Sequence, residues 1–200
     1  DVDHLAFALE LTETIVEAFW DAEAGTIYFT PQYGEGLVTR PQELDDQSTP
    51  SSLGVATDLL LALDGFVPDV DYTDIAGRVL ETHGNRIRGN PLQHVSLTLG
   101  ADRYTTGSAE LTIAADDLPT DWHDALADRF LPAVTIAHRP STDNGLDAWL
   151  DQLGFGEAPP VWAGREAVGD EPTVYACQSF TCSPPETDVD AALDWLDSNR

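Results

Sequence analysis

The spacing of apolar residues differs between the two halves of this chain, and that difference limits which folds it can adopt. In the first half, apolar residues recur at three- and four-residue intervals, as they do on the buried face of a helix. This spacing covers residues 3–19, 53–63, 72–83 and 90–100, and Gly84 is expected to stop the third helix. Residues 26–30 alternate as a short strand, which Gly34–Gly36 can turn back into Leu37 and Val38. We therefore predict helical hairpins with a small β-hairpin over residues 1–105.

The second half, residues 106–200, alternates strand-like and helical segments. The strand-like segments are residues 110–115, 133–137 and 173–177, and the helical ones are 122–130, with Phe130 facing inward, 146–153 and 188–197. Strands that alternate with helices favour parallel pairing through right-handed crossovers. The sequence therefore predicts a mainly α fold that ends in a small, three-stranded, parallel α/β subdomain.

The charge of the chain excludes several classes of partner. Its 200 residues include 36 acidic and 9 basic side chains, for a formal net charge of −27, and every basic residue is an arginine. A surface this negative repels nucleic-acid phosphates and anionic bilayers, so we expect neither nucleic acid nor a membrane as a partner. Acidic residues spread along the whole chain are typical of proteins that work in molar salt. They predict a protein from the cytoplasm of an extreme halophile, and two cysteines agree with that compartment.

Two segments carry a resemblance to a known family. Residues 40–56, RPQELDDQSTPSSLGVA, resemble the signature R-P-K-E-x-x-D-x-A-x-P-S-G-N-S-x-A, although the asparagine is missing. Residues 172–182, PTVYACQSFTC, are similar to the closing motif P-x-A-Y-V-C-x-N-F-x-C, and Arg129–Pro132 and Trp162–Arg165 match weaker markers between them. The family is a thioredoxin-domain family whose animal members are called spermatogenesis-associated proteins.

The resemblance implies a fold, partners and a class of ligand. Family members begin with a thioredoxin-like domain and continue into an (α/α) toroid similar to N-acylglucosamine 2-epimerases and six-hairpin glycosidases. This chain resembles the C-terminal part alone, with too few predicted helices to close a twelve-helix ring. The expected partners are therefore the missing N-terminal thioredoxin-like and toroid portions, or another subunit, together with a sugar-like small molecule.

The loop from Arg40 to Ser52 is the first candidate site, since loops that join helix pairs line the central cleft of a toroid. Arg40 would orient a substrate, while Glu43 and Asp46 would divide general acid and base work. His94, on a predicted helix that could face the cleft, is a further acid–base candidate. Alternatively, Arg40 pairs with Glu43 or Asp46 only to stiffen the loop, and His94 is an ordinary core histidine.

Further candidates would bind the sugar. Asp45 and Ser51 offer hydrogen bonds to hydroxyl groups, and Trp20 and Tyr28 resemble the aromatic hairpin of epimerase-like toroids, where a ring face stacks on a sugar. The competing interpretation is that both aromatic side chains simply pack. The five histidines lack metal-ligand spacing and no glycine-rich phosphate loop is present, so we expect no metal and no cofactor.

Cys177 and Cys182 are the redox candidates. We expect buried structural thiols, because the sequence shows no secure cation or helix N-terminus to stabilise a thiolate. The alternative is a reducible dithiol that exchanges with a thioredoxin-like domain. The functional prediction is thus the binding or isomerisation of a carbohydrate-like molecule, with a redox accessory and a non-catalytic scaffold as alternatives.

Overall fold

The chain divides into two compact units, which are described separately. The structure is a computed structural model and describes residues 1–33, 39–169, 171–179 and 181–199. The helical unit comprises Asp3–Asp64 and Asp69–Thr106, and the sheet unit comprises Gly107–Arg200 with Asp1–Val2 and Gly65–Pro68. The described residues form seven α-helices, a two-stranded hairpin and a four-stranded mixed sheet. None of the described helices is long and apolar enough to cross a membrane.

The helical unit contains four of these helices and the hairpin. In chain order they are α1 Val2–Ala18, β1 Trp20–Asp21, β2 Thr26–Ile27, α2 Ser52–Leu63, α3 Tyr72–Gly89 and α4 Val95–Thr106. Strands β1 and β2 are antiparallel. The predicted turn at Gly34–Gly36 and the return into Leu37 and Val38 lie outside the described residues.

Helix α2 is the centre of this unit. Its sequence is apolar on nearly every side, and it packs against both α3 and α4. The hydroxyl of Ser51 caps its first turn by accepting a hydrogen bond from the Gly54 amide. A Cβ atom at Gly54 would lie 2.3 Å from Cβ of Ser96, so glycine permits the close approach of α2 to α4.

Three predicted helix boundaries in this unit are wrong, and one of them is the end of α4, which lies at Thr106 rather than at residue 100. Helix α3 continues through Gly84 to Gly89 because His83 and Ile87 are buried on either side of that glycine, and packing outweighs its low helix propensity. Helix α4 begins at Val95 rather than near residue 90, since Asn90 precedes a proline and is disfavoured in helical conformation.

The sheet unit is built on four strands. Its elements are β3 Ala109–Ala114, α5 Thr120–Ala127, β4 Val134–Arg139, α6 Asp143–Leu153, β5 Thr173–Gln178, β6 Thr181–Cys182 and α7 Val189–Asn199. The strand order is β4-β3-β5-β6. Strands β3 and β4 are parallel, whereas β3–β5 and β5–β6 are antiparallel.

The predicted three-stranded parallel sheet is therefore corrected to a mixed, four-stranded one. Residues 154–169, which follow α6, return to the end of the sheet at which β4 finishes. There the amide of Ala167 donates to the carbonyl of Ser141, 2.9 Å away. Strand β5 starts at that end and so runs against β3.

The two faces of the sheet are covered differently. On one face, Leu111, Ile113 and Val174 pack with Leu193 and Leu196 of α7. On the other face, Thr112 donates a hydrogen bond to the carbonyl of Val161, in the segment that carries Trp162.

Phe130 is not part of this core, contrary to the prediction. Helix α5 ends at Ala127, with Asp128 as its C-cap, and the side chain of Phe130 is 89% exposed.

Candidate functional site

The loop singled out by the sequence lines an open cavity in the helical unit. The cavity has a volume of about 360 Å³. Its walls are Phe29, Pro41, Gln42, Glu43, Leu44, Asp45, Gln47 and Arg86. A phenyl ring, a guanidinium group and two carboxylates thus share one depression.

Backbone hydrogen bonds hold the loop in place at both ends. At one end, the amide of Phe29 donates to the carbonyl of Pro41, 2.9 Å away. At the other, the amide of Asp46 donates to the carbonyl of Gln93 at 2.8 Å. The loop is therefore fixed between the hairpin and the segment that precedes α4.

Asp46 accepts three hydrogen bonds through its side chain. Its Oδ1 accepts from the Ser51 amide and from the Ser96 hydroxyl, and its Oδ2 accepts from the Ser96 amide. Burial would raise the pKa of this carboxyl, but the bonds from Ser96 and Ser51 outweigh that effect and hold its pKa below the ordinary 3.8. The carboxylate links the loop to the first turn of α4, and Asp46 is not among the cavity walls.

Arg40 serves the hairpin rather than the cavity. Its guanidinium donates to the carbonyl of Thr30 at 2.8 Å and lies over the ring of Tyr28, 4.1 Å from the centroid. Its nearest carboxylate is that of Asp21, at 3.9 Å, and not that of Glu43 or Asp46. Tyr28 is thus covered by Arg40, and the ring of Trp20 similarly lies 5.4 Å from the guanidinium of Arg78.

The remaining predicted residues divide between support and cavity wall. Buried His94 has its Nδ1 atom 3.1 Å from the carbonyl oxygen of Leu44 and 3.3 Å from Oδ1 of Asp45, so it supports the loop from behind. Ser51 is the buried cap of α2. Glu43 and Asp45 do line the cavity, where they accept hydrogen bonds from the Ser52 amide and the Gln93 side chain.

Sequence reasoning missed the two cavity residues that lie outside the Arg40–Ser52 loop, Phe29 and Arg86. Phe29 is 56% exposed although it follows a buried strand, and nothing in its spacing distinguishes it from Tyr28. Arg86 is exposed in the last turn of α3. It lies beyond the predicted end of that helix, so the prediction did not place it beside the loop.

The sheet unit holds a second candidate site, because Cys177 and Cys182 form a disulfide bond. The prediction of structural free thiols is wrong. The two residues face each other as partners in the β5–β6 hairpin, which brings their sulfur atoms together. Cys177 is only 4% exposed, whereas Cys182 is exposed.

A cation lies against this disulfide. Nη2 of Arg165 is 3.3 Å from Sγ of Cys177 and 3.5 Å from Sγ of Cys182, and Nη1 donates to the carbonyl of Pro160. Burial lowers the pKa of Arg165, against the opposite effects of Glu110 and Tyr175. The structure therefore joins two of the motifs noted in the sequence, and it supplies the cation that the sequence did not reveal.

Metal-ligating side chains are not clustered in this part of the molecule. Among the described residues, no group of three or more histidine, cysteine, aspartate or glutamate side chains is arranged to hold a metal ion.

Comparison with known proteins supports the resemblance in the motifs. The chain is 26% identical over 187 residues to human spermatogenesis-associated protein 20, a match that covers 92% of this chain. The same match covers 23% of the human protein, so the chain spans about a quarter of that relative's length. No family model matches the chain.

Proposed function

We propose that the loop cavity of the helical unit binds a small polyhydroxylated molecule of the carbohydrate class. The observation that carries this proposal is the composition of the cavity wall, in which exposed Phe29 accompanies Arg86, Glu43 and Asp45. An aromatic face suits the apolar face of a sugar ring, while carboxylates and a guanidinium suit its hydroxyl groups. A volume of about 360 Å³ is within the range of small-molecule sites.

The proposal is for binding, and it assigns no isomerisation step. Of the acid–base candidates, Asp46 and His94 hold the loop, and Arg40, the predicted orienting cation, holds the hairpin. Glu43 is the one that lines the cavity. Asp45 lines the cavity beside it, and we assign both carboxylates to hydrogen bonding with the hydroxyl groups of the ligand.

Binding can be tested with ligand-observed NMR on the chain in molar salt, using a panel of neutral, amino and uronic monosaccharides. We expect Phe29→Ala and Arg86→Gln each to weaken the binding of a positive sugar by about tenfold or more, since each removes a wall group. Arg88→Gln is the matched control, because Arg88 is also exposed in the last turn of α3 but is outside the cavity wall. Phe130→Ala controls for loss of an exposed phenyl ring.

Either of two results would end the proposal for a sugar site. One is a panel in which every sugar fails to bind to the folded chain. The other is a sugar that binds the two cavity variants as tightly as it binds the two controls.

The second candidate function is dithiol–disulfide exchange in the sheet unit, which the Cys177–Cys182 bond with its exposed Cys182 favours. The co-reactant is a protein dithiol of the kind that a thioredoxin-like domain carries, as the resemblance implies. Transfer of two electrons and two protons would convert that dithiol to a disulfide and this disulfide to two thiols.

Single-cysteine variants test this exchange. The Cys177→Ser variant keeps exposed Cys182 as a free thiol. We expect this thiol to displace an aromatic thiol from a C-x-x-S thioredoxin variant whose remaining cysteine carries it as a disulfide, and so to form a mixed disulfide with that thioredoxin. Cys182→Ser leaves buried Cys177 and is expected to react at least about tenfold more slowly, because access controls the rate. Non-reducing electrophoresis measures the mixed disulfide that each variant forms. If neither variant is captured, or if the wild-type disulfide resists excess reduced thioredoxin, the exchange proposal is wrong.

A further inference from the structure

We infer that Arg165 stabilises the leaving group of exchange at the Cys177–Cys182 disulfide: the incoming thiolate attacks Sγ of exposed Cys182, and Sγ of buried Cys177 leaves as a thiolate beside the guanidinium. This inference rests on the proposed exchange function and assigns a role within it to each of three side chains. It concerns Arg165, Cys177 and Cys182 of the sheet unit, all within the described residues.

The difference in exposure of the two sulfur-bearing residues defines the point of attack. A thiolate must approach the sulfur that it attacks, so an accessible sulfur is strongly preferred. Cys182 is exposed on the short strand β6, whereas Cys177 is 4% exposed within β5. Attack at Cys182 necessarily expels the sulfur of Cys177.

Arg165 is placed to stabilise the leaving thiolate of Cys177. A disulfide sulfur is a weak hydrogen-bond acceptor, while a thiolate carries a full negative charge, so a nearby guanidinium stabilises the product more than the starting disulfide. Nη2 of Arg165 is 3.3 Å from the sulfur that becomes charged, and Nη1 is held in place by the carbonyl of Pro160. Arg165 is half-buried, so water screens this attraction only partly.

The surrounding charges make this cation necessary. Glu110 is the register partner of Cys177 across β3 and β5, and its carboxylate interacts with Arg165, as does Tyr175 from β5. The formal net charge of the whole chain is −27, which also opposes a new anion. Arg165 is the positive group at the sulfurs that offsets both effects.

The exchange balances in two steps. In the first, a partner thiolate forms a bond to Sγ of Cys182, the intramolecular S–S bond breaks, and its electron pair goes to Sγ of Cys177. In the second, the other thiol of the partner loses its proton and attacks the partner's own sulfur in the mixed disulfide, and Cys182 leaves as a thiolate. The two thiolates of this chain take up protons from solvent, and the partner dithiol has been oxidised to a disulfide.

The rate of reduction of the wild-type chain and of Arg165 variants tests the inference, with dithiothreitol as the probe in molar salt at pH 7. We expect Arg165→Gln to slow reduction by about threefold to tenfold, and Arg165→Lys to restore part of the rate, because leaving-group stability controls cleavage. Arg88→Gln is the matched control, since it removes the same charge from an exposed arginine of the helical unit. Circular dichroism checks that each variant is folded.

The direction of the change separates this role from a structural one. If Arg165 only held the segment together, its loss would loosen the disulfide, and reduction would be as fast or faster. That result would overturn the inference while leaving exchange itself intact. A wild-type disulfide that dithiothreitol does not reduce in the folded chain would instead remove the exchange function on which the inference rests.

A second measurement needs no Arg165 variant. Brief treatment of the wild-type chain with glutathione, followed by acid quenching and peptide mass spectrometry, locates the mixed disulfide. We expect glutathione predominantly on Cys182, and predominant modification of Cys177 would overturn the inference.

Discussion

Replacing Arg139 by alanine is expected to lower the free energy of unfolding of the sheet unit by about 2–4 kcal/mol, because it removes a buried side chain that donates to two backbone carbonyls. The Arg139 side chain is 0% exposed. It donates to the backbone carbonyls of Pro140 and Trp162, at 3.1 and 2.8 Å, and to the carboxylate of Asp143 at 2.7 Å. Alanine would leave the two carbonyls without this donor and would leave a cavity where the buried side chain was.

Urea denaturation in molar salt, followed by tryptophan fluorescence, measures this effect. Arg129→Ala is the matched control, since Arg129 also contacts aspartates (Asp190, Asp194 and Asp197) but at a partly exposed site. We expect the control to cost less than about 1 kcal/mol. Equal effects of the two substitutions would show that the buried contacts of Arg139 contribute little.

Replacing Asp46 by alanine is expected to destabilise the helical unit by about 2–4 kcal/mol. The substitution removes the acceptor of three hydrogen bonds from Ser51 and Ser96, and with them the attachment of the loop to the start of α4. Hydrogen bonds to a charged acceptor each contribute about 1.5–3 kcal/mol, but Asp46 is only partly buried, so the sum is reduced by solvent screening. Urea denaturation at pH 7 measures the difference.

The same variant has a pH signature. Because the pKa of Asp46 is lower in the folded chain than its ordinary 3.8, the ionised carboxylate stabilises the fold above that value. This contribution is lost as the pH falls through the folded-state pKa. Asp46→Ala should therefore show a smaller loss of stability below pH 4 than the parent, whereas Asp102→Ala, at an exposed position on α4, should behave as the parent does. A parent-like acid profile in Asp46→Ala would contradict this role.

The helices could be predicted from the sequence because their information is local. Apolar spacing located α2, which the structure places at Ser52–Leu63. The end of α3 was missed because burial of His83 and Ile87 outweighs the propensity of Gly84, and burial depends on residues far along the chain.

The candidate sites also combine features that local sequence predicts with contacts that depend on distant residues. The motif directed attention to the loop of Arg40 and Asp46, but their contacts with Thr30 and Ser96 depend on packing that no spacing encodes. Likewise, the direction of β5 depends on where residues 154–169 lead the chain. Once β5 and β6 are known to form a hairpin, the pairing of Cys177 with Cys182 follows from their register.

The mixed order of the sheet has a consequence for biosynthesis. Strand β3 lies between β4 and β5, yet β5 leaves the ribosome long after both. Until then, one edge of β3 presents unpaired amides and carbonyls beside the apolar side chains of Leu111 and Ile113. A nascent chain that stalls before Thr173 is therefore expected to be prone to aggregation until β5 can pair with that edge.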